Sequence, residues 1–149
     1  MSLHPHWMHQ NYRYGQFGVE QLKLSGHGVE LFNKQFYWEC HEALEDPWIE
    51  DRSDNARYVY WAIIQVAATL VHARDEKYAS AELMLNKSKN KFEKCHELQV
   101  ITPLMTEFLS WEELERIVYA VPENPTGKDF EALLAFKFTK YPFDYFKDN

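Results

Sequence analysis

The segment from Ala56 to Asp75 is apolar on nearly every side of a helix, and it restricts the possible folds more than any other feature. Its apolar residues are Val59, Trp61, Ile63, Ile64, Val66, Ala67, Ala68, Leu70 and Val71. A helix that is hydrophobic all round is buried all round. Because the segment also contains Arg57, Gln65 and His72, it is typical of the centre of a helical bundle rather than of a membrane span.

Two further segments show helical periodicity on one face only. The first runs from Val29 to about Glu45, and we expect it to end at Asp46-Pro47, because proline removes a backbone donor. Its apolar positions are Val29, Phe32, Phe36, Cys40 and Leu44. The second runs from about Tyr78 to Leu98. Together with the central segment they predict a single all-α domain, a helical bundle with three main helices arranged up, down and up.

Shorter elements flank this core. A helical turn is predicted over Val19–Leu24, and Ser110 with Glu113 has the pattern of a capping box that opens a short helix to about Ala120. A last helix is predicted over 130–138, and the aromatic tail after it should lie back over the bundle. The predicted organisation is an N-terminal extension (1–26), a motif-bearing three-helix core (28–98), and short C-terminal helices with an aromatic tail (100–149).

The charge of the chain argues against nucleic acid as a partner. The net charge is −7, whereas nucleic-acid binders present clustered Lys and Arg. The one basic cluster lies in the third helix and comprises Lys87, Lys89, Lys91 and Lys94. Its favoured interpretation is a solvated helix face, and the alternative is a contact to phosphate.

The remaining bulk features predict a cytoplasmic protein. No apolar run approaches the ~18 residues of a membrane span, so no membrane association is expected. The N-terminus does not have the pattern of a signal peptide. Cys40 and Cys95 fall on apolar helix faces, which predicts reduced, buried thiols rather than a disulfide.

Polar residues of the first two main helices fall into stripes that should face each other. At ~100° per residue, His41 and Glu45 are neighbours on one flank of the first helix. In the central helix, Tyr58, Gln65, Thr69 and His72 share one stripe, which Trp61 joins. An unpaired buried polar group costs about 1–3 kcal/mol, so the stripes need each other as partners. The predicted cluster is His41, Glu45, Gln65 and His72, and its predicted walls are Tyr37, Trp48, Trp61 and Thr69.

Two interpretations of this cluster remain open from the sequence. In the structural one, Glu45 and Gln65 orient the two histidines in a hydrogen-bond network that sets the helix register. In the functional one, His41, Glu45 and His72 bind a divalent metal (zinc, iron or manganese) that supports a hydrolase-like reaction, and Gln65 orients a carboxylate or a water. The substrate and any catalytic residue stay unassigned.

The motif Leu31-Phe32-Asn33-x-x-x-Tyr37-Trp38-Glu39-x-His41-Glu42-x-Leu44-Glu45-x-x-Trp48 resembles the signature of domain-of-unknown-function family 309, whose members are small prokaryotic all-α proteins. The second motif of the family is matched by Gln65, Ala68 and His72. The resemblance covers roughly Gly28 to Leu98. It implies a helical bundle and brings no activity with it.

A second hypothesis for function is a non-catalytic binding or interaction module. In this case the polar cluster is structural, and aromatic residues near both ends of the chain form a surface for a partner or for a homodimer. These residues are Trp7, Tyr12, Tyr14, Phe17, Tyr141, Phe143, Tyr145 and Phe146. A small-molecule ligand, if one binds, is not identified by the sequence.

Overall fold

The computed structural model describes residues 12–50 and 54–147, and this part of the chain contains helices and no strand. The helices are α1 (Val19–Leu24), α2 (Gly26–Asn33), α3 (Tyr37–Glu50), α4 (Arg57–Arg74), α5 (Tyr78–Glu97), α6 (Pro103–Phe108), α7 (Trp111–Ala120), α8 (Glu131–Ala135) and α9 (Phe143–Lys147). A short 3-10 helix, Gly127–Phe130, precedes α8. The predicted all-α fold is confirmed.

Helix α4 is the centre of the structure and packs against both α3 and α5. Its side chains are buried around most of its circumference, as the apolar sequence predicted. Tyr37 at the start of α3 lies under Arg74 at the end of α4, whereas Trp48 near the end of α3 contacts Arg57 at the start of α4. The two helices are therefore antiparallel, which brings their polar stripes side by side.

The segment predicted as one helix from Val29 to Glu45 is two helices, and this prediction is wrong. Helix α2 ends at Asn33 because Gln35 takes a left-handed conformation with φ of 64°. The amide of Phe36 then donates to the carbonyl of Leu31 at 2.9 Å. The amide of Gln35 donates to the carbonyl of Phe32, also at 2.9 Å. These two bonds form a Schellman motif, which satisfies the last carbonyls of α2. The chain turns there, and Phe36, predicted to be buried, is 51% exposed.

The predicted stop at Asp46-Pro47 is also wrong. Helix α3 continues through Pro47 to Glu50, and the proline is buried. The ring of proline fixes φ near the helical value, but Pro47 cannot donate to the carbonyl of Ala43 and its ring crowds that carbonyl. This continuation of α3 places Trp48 and Ile49 on a helix rather than in a loop.

The C-terminal segment lies back over the bundle, as predicted. Asn33, a residue of the motif, accepts from the amide of Phe138 at 2.7 Å and donates to its carbonyl at 3.2 Å. The hydroxyl of Tyr141 donates to the carbonyl of Leu22 in α1. These contacts join the last part of the chain to α1 and α2, which lie more than 100 positions earlier in the sequence.

Two predictions about the flanking segments need correction. Ser110 has a left-handed conformation with φ of 49° and makes no side-chain cap, so the predicted capping box of α7 does not form. Phe17 and Tyr141 were assigned to an exposed aromatic surface, but both are buried in the core. Trp7 lies outside the described residues, while Tyr14 is exposed. The aromatic surplus therefore serves the core as well as the surface.

Both cysteines are free and buried, as predicted. Burial raises the pKa of the Cys40 and Cys95 thiols to about 12, so both are protonated at neutral pH. Within the described ranges, no helix combines the length and the apolar character needed to cross a membrane.

Candidate functional site

His41 and Glu45 lie one turn apart on α3 and form a pair. Nδ1 of His41 is 3.3 Å from Oε1 of Glu45, which is an ion-pair distance. The orientation of the two groups does not give a hydrogen bond, and buried Nδ1 has no other partner in the described part of the chain. The imidazole also stacks on Trp38, with ring centroids 5.1 Å apart and an angle of 11° between the planes. His41 is positioned from two sides, but one ring nitrogen keeps an unused hydrogen-bonding capacity.

The polar stripe of α4 is only partly satisfied. Thr69 donates its hydroxyl to the backbone carbonyl of Gln65 at 2.8 Å, so it needs no partner from α3. Gln65 is 8% exposed, and its Oε1 has no hydrogen-bond partner among the described residues. His72 is half-buried near the end of α4. Gln65 is therefore the residue of the stripe whose polar group most needs a partner.

The structure brings together two of the predicted wall residues. Trp48 of α3 and Trp61 of α4 have ring centroids 5.1 Å apart, with the planes at 58°. Tyr37 faces another part of the molecule: its ring packs edge-on against Phe32, and its hydroxyl donates to the carbonyl of Leu134 at 3.4 Å. Tyr37 therefore supports the contact between α3 and the C-terminal segment.

The three predicted metal ligands, His41, Glu45 and His72, all belong to the described residues. Within these residues no three His, Cys, Asp or Glu side chains are grouped so that they could hold a metal ion. Of the three, the structure pairs His41 with Glu45. A zinc, iron or manganese site here stays a prediction, with two of its three ligands adjacent.

Sequence reasoning missed the two cations that lie against Trp61. Arg57 lies over both tryptophans, with Cζ 4.7 Å from the ring centroid of Trp48 and 5.3 Å from that of Trp61. Nζ of Lys91, from α5, lies 4.4 Å from the centroid of Trp61, and Tyr58 stacks on Trp61 at 5.5 Å. We call Trp48, Arg57, Tyr58, Trp61 and Lys91 the tryptophan cluster. It joins the end of α3, the start of α4 and the second half of α5.

Lys91 is not solvated, and the prediction of a solvated face is wrong for this residue. Its side chain is only 8% exposed. Its ammonium makes two long contacts, 3.5 Å to the carbonyl of Lys87 and 3.4 Å to Oδ1 of Asn90. Burial lowers the pKa of Lys91, and the positive charge of Lys87 lowers it further. No carboxylate of the described residues forms an ion pair with it.

The position of Lys91 on the helix could have revealed this. At ~100° per residue, Lys91 falls about 60° from Ser88, the centre of the apolar face of α5. Lys87 and Lys94 fall further from that centre, and neither is buried. The four lysines therefore do not share one environment, although they are close in sequence.

Buried polar atoms without partners occur on both helices that carry the site. They are Nδ1 of His41 and Nε1 of Trp48 on α3, and Oε1 of Gln65 on α4. Most buried polar atoms in folded proteins have a hydrogen-bond partner, so each such atom requires an explanation. The partial exposure of His41, Trp48 and Trp61 leaves this face accessible to a molecule from solution.

A second polar group lies between α5 and α7. Nε2 of His96 is 2.7 Å from Oε1 of Glu115, and Tyr119 donates its hydroxyl to the carbonyl of Lys89 at 3.2 Å. Burial and the nearby carboxylate of Glu93 raise the pKa of Tyr119 to about 12. His96 and Glu93 contact different residues of α7, so this group connects the two helices.

Comparison with known proteins supports the family resemblance and supplies no activity. Residues 26–84 match the family model described as Domain of unknown function (DUF309), which confirms the resemblance from α2 to the first third of α5. The "Uncharacterized protein YpuF" of Bacillus subtilis (strain 168) is 35% identical over 60 residues, which are 40% of this chain and 34% of that protein. The chain thus spans about a third of the length of this relative. No solved structure is significantly similar to the chain. Lys91 lies beyond the matched residues.

Proposed function

We propose, from the contacts alone because the matched family has no assigned activity, that this protein is a ligand-binding module with its site on the face shared by α3 and α4. The supporting observation is a set of buried atoms that have no hydrogen-bond partner within the described part of the chain: Nδ1 of His41, Nε1 of Trp48 and Oε1 of Gln65. Each unpaired group costs the folded protein about 1–3 kcal/mol. A ligand that supplies the missing partners removes this cost in the bound state only.

The same observation weakens the structural interpretation of the cluster. A network that sets the helix register requires its members to bind each other. Here Gln65 contacts neither histidine by a hydrogen bond, and Thr69 is satisfied within its own helix. The pair of His41 with Glu45 is local to α3 and does not cross to α4. A role in binding a ligand therefore explains the unpaired polar atoms of these side chains better than a role in setting the helix register.

Gln65→Leu is expected to raise the free energy of unfolding of the ligand-free protein by about 1 kcal/mol, because it replaces an unpaired buried amide by an apolar group of similar size. Urea denaturation followed by circular dichroism measures the change. Thr69→Val is the matched control on the same stripe: it removes a satisfied hydroxyl and should lower the free energy of unfolding by about 1 kcal/mol. A loss of stability in both variants would contradict the proposal.

A metal-assisted reaction is a second candidate for the same face, and the 3.3 Å approach of His41 to Glu45 favours it. Under this hypothesis, protein purified without a polyhistidine tag contains near-stoichiometric zinc, iron or manganese. His41→Ala and His72→Ala then lose the metal and keep the helical circular dichroism spectrum. Metal-free wild-type protein that still fails to take up any of the three ions during dialysis against them would rule it out.

The predicted homodimer also stays a prediction. Phe36, which immediately precedes α3, and Trp38, in the first turn of α3, are large apolar side chains that are more than half exposed, so they suit contact with another protein surface. Both precede His41 of the proposed ligand site in the sequence.

A further inference from the structure

We infer that the ligand carries a small anionic group, an oxyanion attached to a planar ring, which binds at the tryptophan cluster between Lys91 and Trp48. This inference rests on the proposed function, because it names the chemistry of the same site. Trp48 of α3, Arg57 and Trp61 of α4 and Lys91 of α5 meet at this junction of three helices.

The positive charge of Lys91 favours an anionic ligand. A buried ammonium is unfavourable unless it is paired, and here its protein contacts are one carbonyl and one amide oxygen at 3.4–3.5 Å. The face of Trp61 compensates part of this cost through a cation–π contact. A carboxylate counterion is missing among the described residues, although the whole chain carries an excess of acidic residues. An anion from solution supplies that counterion.

The groups around this junction are hydrogen-bond donors. Nε1 of Trp48 is a buried donor without a partner among residues 12–50 and 54–147, and an indole cannot accept a hydrogen bond through this nitrogen. The ammonium of Lys91 provides further donors, and the guanidinium of Arg57 lies over both tryptophan rings. A set of donors that includes the ammonium of Lys91 selects a group that only accepts, such as a carboxylate or a phosphate.

The surroundings of Lys91 and of the two tryptophan rings limit the size and shape of the ligand. Lys94 is paired with Glu97 at 3.3 Å, so the positive charge does not extend along α5 as a continuous basic surface. One small anion fits this pattern, whereas a nucleic acid requires several phosphate contacts. The rings of Trp48 and Trp61 are half-buried, and their remaining surface suits a planar or apolar body attached to the anion.

The test uses isothermal titration calorimetry of the full chain with phenyl phosphate, benzoate and inorganic phosphate, and with benzyl alcohol as the uncharged probe. We expect phenyl phosphate, benzoate or both to bind, and benzyl alcohol to bind at least tenfold more weakly. Binding by one of the two ring anions identifies its oxyanion as the preferred group. Lys91→Met should weaken binding of that anion at least tenfold, because a hydrogen bond to a charged group is lost.

Lys87→Met is the matched control, since it removes the same charge one turn away from an exposed position. It should change the dissociation constant less than twofold. Trp48→Phe keeps an aromatic ring at this position but removes the indole N–H group, and it should weaken binding severalfold. This variant provides the test if Lys91→Met does not fold.

Four outcomes would overturn the inference: no binding of either ring anion, equal binding of benzyl alcohol, equal losses in Lys91→Met and Lys87→Met, or inorganic phosphate binding as tightly as phenyl phosphate. If Gln65→Leu nevertheless stabilises the ligand-free protein, the proposed ligand site stands and only its anionic selectivity fails.

Discussion

Phe32→Ala is expected to lower the free energy of unfolding by about 3–5 kcal/mol, the range for removing a fully buried aromatic side chain. Phe32 is fully buried, and its ring centroid is 5.2 Å from that of Tyr37, 5.0 Å from Phe138 and 6.3 Å from Phe136. The variant therefore removes the contact that joins α2 and α3 to the C-terminal segment. Urea denaturation monitored by circular dichroism measures the loss.

Phe36→Ala is the control for this variant. It removes the same side chain four positions later, where the ring is 51% exposed because the chain has turned at Gln35. We expect its free energy of unfolding to stay within about 0.5 kcal/mol of the wild type. Similar losses in the two variants would mean that residues 29–45 form one continuous helix with both rings in the core, contrary to the structure.

Gly28→Ala is expected to lower the free energy of unfolding by about 1–3 kcal/mol, although alanine is the better helix former. A Cβ atom at position 28 would lie 2.5 Å from Cδ2 of Leu44, and closer still to its Cγ. Leu44 is fully buried on α3 as part of the hydrophobic core. Glycine at this position allows α2 and α3 to approach closely.

A double-mutant cycle with Leu44→Ala tests this explanation directly. Leu44→Ala removes the atoms that the new methyl group would meet, at a cost of about 2–5 kcal/mol. In this background, Gly28→Ala should become neutral or stabilising by up to about 1 kcal/mol, because only its helix propensity and the filling of the cavity remain. A loss that is the same in both backgrounds would show that the contact with Leu44 is not its cause.

The central helix was predictable from the sequence because burial on all sides needs no information about neighbours. Apolar residues around the whole circumference of α4 exclude a surface position, whatever packs against it. The long third helix was equally clear, since its polar and apolar residues separate cleanly with a helical period. Trp48 and Trp61 were both predicted as walls of the polar cluster, and their ring centroids lie 5.1 Å apart.

The break at Gln35 was not predictable from residue types. Glycine is the usual signal for a left-handed residue at a helix end, and here Gln35, Glu76 and Gln99 have this conformation after α2, α4 and α5. A non-glycine residue in this region costs about 1 kcal/mol, which the two backbone hydrogen bonds of each motif offset. The residue type of Gln35 therefore does not indicate its left-handed conformation.

By itself, the sequence determined that this chain forms an all-helical bundle around α4 and that His41 and Glu45 are neighbours. These properties depend on the spacing of residues within one helix, and this spacing can be read from the sequence. Only the tertiary structure decided that Lys91 packs against Trp61 of another helix, and that Nε1 of Trp48 and Oε1 of Gln65 have no hydrogen-bond partner among the described residues. Such properties depend on side chains that are tens of residues apart in sequence, and the free energy of a buried polar group is set by the atoms that packing places around it.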